Sequence, residues 1–211
     1  MRQRLPREER REGILEGATA AFAAAGYAAT SMADVAAAAG VTHLIVYRHF
    51  ASKEDLYRAT LQRACERMSA AFADEGDPEG FGVGARSVLW AARADPEGFR
   101  LLWRHCAREP RFASYAADLR ERAIAAARDA LAGRVPAESL EWAAHAVVGY
   151  LVEAVLTWLE YGDPARDERF VAATNQALRA GVRAWSQGDG AGPGGSAART
   201  GGGARRPRRR G

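Results

Sequence analysis

Residues 42–53, THLIVYRHFASK, gather the side chains best suited to chemistry on a polyanion. Thr42 and Tyr47 carry hydroxyls, Arg48 and Lys53 carry positive charge, and His43 and His49 add imidazoles. Hydroxyls and cations of this kind contact phosphate oxygens, which fixes register on a duplex without reading its sequence. His43, Leu44 and Arg48 are the candidates for base edges. Arg on guanine is the commonest specific contact, and Leu44 or Ile45 fits against a thymine methyl. Val46 and Phe50 read as core, Ile45 is equally suited to core or groove, and the alternative for Arg48 is a solvated surface charge.

Two short helices and a tight turn must position these groups. Ser31 is a good N-cap, and Asp34 three residues on completes a capping box. Val35, Ala38 and Ala39 recur on one face of the helix that follows. Gly40 stands where a left-handed residue ends it. Thr42 is placed to cap the second helix, and Ser52 with Asp55 opens a longer third one. Helix, Gly-containing turn, helix is the helix-turn-helix pattern, whose second helix enters the DNA major groove.

The 211 residues provide ample material for a core, with 48% hydrophobic and 27% charged side chains. The net charge of +4 is misleading as a nucleic-acid signature, because the segment from Gln187 onward holds six Arg and one Asp. The first 186 residues are therefore slightly acidic, and basicity argues for DNA binding only locally. Of 30 basic residues, Lys53 alone is Lys. Two cysteines, Cys65 and Cys106, imply no disulfide framework and suit a reducing compartment. The opening MRQRLPREERREG has no signal-peptide core, so a cytoplasmic location is expected.

Taken in order, periodicity predicts an all-α chain of about nine helices. Residues 1–8 read as a flexible arm and 9–56 as the three-helix DNA-binding unit. Residues 57–186 read as a larger helical unit, and 187–211 as a disordered Gly/Arg-rich tail. The first helix runs from about Glu9 to Ala25, with Ile14, Leu15, Ala18, Ala21 and Phe22 on its apolar stripe. Further helices are expected from Ser52 to Ala73, Phe81 to Ala94, Pro96 to Arg108, Pro110 to Leu131, Pro136 to Tyr161 and Ala165 to Ser186. Gly76, Asp77, Pro78 and Gly80 mark a break.

The segment from Ile14 to Leu56 resembles the DNA-binding region of tetracycline-repressor (TetR) family regulators. The likeness rests on ILEGATAAFAAAGYAATSMADVAAAAGV, the aromatic pair in VYRHF, and SKEDL. It covers about the first quarter of the chain. It departs from the usual pattern at Leu44 and Ile45, where Gly and a small hydroxyl residue are commoner, and at His49, which replaces a common Tyr. The resemblance makes Tyr47 and Lys53 the leading phosphate-contact candidates, followed by Thr30 and Ser31. It also implies a homodimer packed through the last two helices, Pro136–Tyr161 and Ala165–Ser186, and repression relieved by a small molecule.

An apolar pocket with a few convergent polar groups is the default site for such a molecule. Trp90, Phe99, Trp103, His105, Cys106, Phe112, Tyr115, Trp142, His145, Tyr150 and Glu153 are its candidate residues on the middle helices. For each aromatic the alternative is plain core. Glu153, a carboxylate in an apolar run, needs a partner or a ligand. The run Trp142–Leu159 approaches the length of a membrane span, but His145 and Glu153 make a helix buried between protein surfaces the simpler reading. No zinc-ligand spacing, phosphate loop or nucleophile motif is present, so no metal, cofactor or catalytic residue is expected. The competing readings are a ligand-independent architectural DNA-binding protein and, with less support, an all-helical enzyme.

Overall fold

A computed structural model of the chain describes residues 6–74 and 84–187. Among the described residues there are nine α-helices and no strand. They are α1 (Arg7–Ala29), α2 (Met32–Ala38), α3 (His43–His49), α4 (Lys53–Asp74), α5 (Ala85–Ala94), α6 (Pro96–Arg100), α7 (Ala113–Leu131), α8 (Leu140–Tyr161) and α9 (Asp167–Gln187). The expected break at Gly76–Gly80, the first residues of the Phe81–Ala94 helix and the Arg-rich tail lie outside the described residues.

Helix α1 begins at Arg7, two residues before the expected start, so Arg7 and Glu8 belong to a helix and not to an arm. Glu8 and Glu9 in its first turn favour that start by facing the positive end of the helix dipole. Ile14, Leu15, Ala18 and Phe22 are buried along one stripe. Gly26, at φ 78°, interrupts the helix, and Thr30 closes it through its N–H to the Gly26 carbonyl. The α1 stripe packs on α2 and α4.

Helix α4 runs unbroken past residue 56 and touches α1 on one side and α5, α6 and α7 on the other. The two expected units therefore share a helix and a continuous core. Asp95 caps α6 by accepting from the Gly98 N–H at 3.0 Å, as the Asp-Pro pair predicts. The helix then widens into a π-helical turn at Leu101–His105 and tightens into a 3-10 turn at Cys106–Arg108. Helix α7 starts three residues after the expected Pro110. The residue before a proline avoids the helical region, and Glu109 is extended (φ −101°, ψ 102°), so residues 110–112 form a turn.

Helix α8 is long and apolar enough to cross a membrane by length and composition. It instead lays Ala143, Val147, Leu151, Val155 and neighbours against α5, α7 and α9. Trp158 of α8 stacks on Phe170 of α9 and donates to Asp167, which also takes a two-pronged bond from Arg93 of α5.

One close approach in α1 sets how α2 sits on it. A Cβ at Gly17 would lie 2.6 Å from the Ala39 nitrogen and 2.7 Å from its Cα. Backbone cannot yield as a flexible side chain does, so Gly17→Ala is expected to destabilise by about 1–3 kcal/mol. A denaturant melt would read this as a lower midpoint. An unshifted midpoint would mean that α2 moves aside freely.

Candidate nucleic-acid interface

Helix α2 is fixed at its start by the predicted capping box. The Ser31 hydroxyl accepts from the Asp34 N–H at 3.2 Å, and the Asp34 carboxylate accepts from the Ser31 N–H at 2.8 Å. The hydroxyl also donates to that carboxylate, and these bonds hold the Asp34 carboxyl below its ordinary range. After α2, Gly40 takes φ 64°, a left-handed turn that a side chain would strain, and sends the chain into α3. Val46 is fully buried and Phe50 nearly so, so α3 is held by one face only.

The other face is outward. Thr42, His43, Leu44, Tyr47 and Arg48 are exposed, with Leu44 at 62% and Tyr47 at 47%. Two large side chains are thus left uncovered on a seven-residue helix. His43 meets the Tyr47 ring edge-on at 4.7 Å, which steadies both side chains. The Thr42 hydroxyl makes no capping bond, contrary to the sequence expectation, and stays on the outward face. The first turn of α3 is closed by the Thr42 carbonyl, which accepts from Ile45 and Val46. Ile45 is half-buried against the core, so it leans toward packing and not toward a groove.

Two expected contact residues are placed otherwise. Thr30 is 3% exposed, and its hydroxyl donates to the Gly26 carbonyl at 2.7 Å and the Ala21 carbonyl at 3.2 Å. It closes α1 and does not present itself to a phosphate. The Lys53 ammonium points back to the end of α1, donating to Tyr27, Thr30 and Ala28 carbonyls at 2.8, 3.1 and 3.4 Å. Neither placement is legible from spacing, because both depend on where Gly26 turns the chain.

His49 ends α3 half-buried, with Nδ1 enclosed and unpartnered. Burial, then the charges of Arg7, Arg10 and Arg11 on α1, lower its pKa below the ordinary 6.5. Arg11 also covers the Phe50 ring at 5.1 Å. As pH falls below 6.5, the unfolded chain takes up a proton that folded His49 resists. Stability is thus fully present above that pH and lost as pH falls toward the lowered folded value. Carboxylates held low by arginines, such as Glu54 and Asp167, lose their contribution only in more acid solution. Melting at pH 7.5 and 5.5 should show a larger acid loss for the native protein than for His49→Gln; equal losses would exclude His49 as the source.

The head is joined to the body by contacts that sequence reading missed. Arg63 of α4, only 8% exposed, bonds Glu12 at 2.7 Å and Glu16 at 3.2 Å on α1. The Glu12, Glu16 pair at helical spacing was a signal for such a partner. His105 Nε2 lies 2.9 Å from the Ala23 carbonyl, and Arg111 pairs with Glu54.

Residues 14–60, spanning α1 to the first turns of α4, match the model of bacterial regulatory proteins of the tetR family. Over 65 residues the chain is 45% identical to the HTH-type transcriptional activator FasR of Mycolicibacterium smegmatis, covering 31% of this chain and 30% of that one. Residues 14–60 are thus similar to the DNA-binding region of TetR-family regulators. Over 70 residues the chain is 41% identical to the HTH-type transcriptional repressor Rv3405c of Mycobacterium tuberculosis, covering 32% of this chain and 37% of the relative. The match thus spans about a third of the length of these curated relatives. A TetR-like transcriptional regulator from Rhodococcus sp. RHA1 shares the fold along most of the chain. Its TM-score is 0.69 at 23% identity, covering 85% of this chain and 98% of that one.

The expected effector residues do not gather around one cavity among the described residues. Phe99, Cys106 and Phe112 are buried core. Trp90, Trp103 and Tyr115 are half-buried around them, Trp90 under Arg86 and Trp103 under Arg120. Burial raises the Cys106 thiol to about 11, and Cys65 likewise, so both are protonated at neutral pH. His105 is committed to α1. Trp142, His145, Tyr150 and Glu153 face outward on α8. Glu153 is therefore not a buried carboxylate, because the helix turns that face away from its own core. The cavity among Gly84, Leu131, Val147, Leu178 and Val182 measures about 20 Å³, room for one water.

Proposed function

We propose that this protein is a sequence-specific transcriptional regulator that binds a palindromic DNA site as a homodimer. The observation that carries this is α3: a short helix anchored by Val46 and Phe50 that turns Thr42, His43, Leu44, Tyr47 and Arg48 outward. Tyr47, Thr42 and Ser31 take phosphates, and His43, Leu44 and Arg48 take base edges. Such work places the protein in the cytoplasm with the chromosome.

One α3 reads too few base pairs for useful discrimination, and a two-fold dimer doubles the reading. The outward face of α8 and α9 supports that assembly. Trp142 is 48% exposed and packs edge-on to Trp185 at 5.0 Å. Tyr150, Ala146, Ala177, Leu178, Gly181 and Trp185 line an apolar groove of about 280 Å³ beside it. The relatives include a named activator and a named repressor. Repression released by a small apolar or amphipathic effector is the reading that the family carries. An effector acts by binding one of two states of the protein better than the other.

The test is a titration of the purified protein against its own upstream intergenic DNA at several salt concentrations. Saturable binding of two subunits to a short palindrome supports the regulator. Weak binding that is indifferent to sequence favours the architectural reading.

A further inference from the structure

The chain's one lysine stands at the first position of α4, where a cation opposes the helix dipole. A local rule broken this way asks for a compensating partner. The partner is the end of α1. The carbonyls of Tyr27, Ala28 and Thr30 follow the Gly26 interruption, and the Lys53 ammonium takes them at 2.8, 3.4 and 3.1 Å. Orphan carbonyls at a helix end attract a cation for the same reason that the N-terminus of α4 repels one. The ammonium also lies 4.4 Å from the Tyr27 ring centroid, and Tyr27 packs on Tyr57 and Phe112. All three ammonium donors thus have protein partners.

The two ends of this contact enclose the motif. Between Thr30 and Lys53 lie α2, its turn and α3, and nothing else. We propose that Lys53 is a positioning residue: its ammonium staples the turn before α2 to the start of α4 and so fixes the pose of α3, in place of contacting a DNA phosphate. The proposal rests on the DNA-binding reading for its functional consequence, while the staple itself is a property of the free protein. Arginine does not substitute. A planar guanidinium spreads its donors in one plane, whereas three carbonyls of one turn require a compact tetrahedral head.

The experiment uses full-length protein, labelled with ¹⁵N-lysine so that one side-chain ammonium gives one NMR signal. A signal protected from hydrogen exchange in the free protein is expected; rapid exchange, as for a solvated lysine, overturns the staple. The second arm measures DNA affinity against salt for the native protein, Lys53→Met and Lys53→Arg. Both variants should bind about tenfold or more weakly, as loss of charge-assisted hydrogen bonds implies, with the native salt slope. A slope shallower by about 0.9 per subunit in Lys53→Met, restored by Lys53→Arg, would show a phosphate contact instead. If Lys53→Met does not fold, the exchange of the native signal decides. Absence of sequence-preferring binding by the native protein would sink the regulator reading, whereas the ammonium signal judges the staple independently.

Discussion

Phe112→Ala is expected to lower the unfolding free energy by about 3–5 kcal/mol, the range for emptying a fully buried aromatic site. Phe112 is 0% exposed, and its ring lies 4.7 Å from Tyr57 and 5.0 Å from Tyr27, centroid to centroid. Tyr57 in turn meets Phe22 at 4.8 Å, so one ring from the body closes a cluster built on α1 and α4. The guanidinium of Arg58 covers the same ring at 5.3 Å. The site cannot collapse easily, because its walls belong to α1 and α4, which are held by other contacts. The Phe112 carbonyl, which accepts from the Cys106 thiol at 3.0 Å, would also lose its fixed position. Chemical denaturation measures the loss. Leu44→Ala, at a site 62% exposed, is the control and should change stability by about 0.5 kcal/mol or less. A Phe112→Ala loss as small as the control's would mean that the cluster does not join head to body.

The contrast between those two positions also marks what the sequence makes legible. Local features with short reach survive translation into structure. The Ser31 and Asp34 capping box, the Gly40 turn and the Asp95-Pro96 start are each decided within four residues, and all three form as read. The burial of Val46 and Phe50 follows from their spacing opposite the polar side of α3. Lys53 and Thr30 are different, because their partners lie across the Gly26 interruption and depend on its direction. A lone lysine beside a DNA-reading helix reads as a phosphate contact until the carbonyls around it are seen. The effector candidates are dispersed for a related reason. Trp142, His145, Tyr150 and Glu153 are all exposed along α8, while Val147, Leu151 and Val155 are buried on the other side. The run is apolar on both faces, so composition alone did not say which face meets the body.

The largest expected effect on function belongs to Arg48, because the proposed dimer on a palindrome counts every substitution twice. A good base-edge contact discriminates by about 1–3 kcal/mol, so Arg48→Ala should cost about 2–6 kcal/mol against the native site. It should cost much less against a site altered at the base pair Arg48 reads, because there the contact is already missing. Tyr47→Phe makes the complementary case. Its hydroxyl is exposed beside His43, and losing a phosphate contact should weaken binding to all sequences alike. Stability should hardly change in either variant, since both side chains stand outside the core. Binding of native, Arg48→Ala and Tyr47→Phe proteins to the native duplex and to single-base variants therefore separates the two roles. If Arg48→Ala weakens every duplex equally, Arg48 is only a surface charge, and His43 and Leu44 are left to read the bases. If instead preference vanishes at one symmetric pair of positions, that pair locates α3 in the groove.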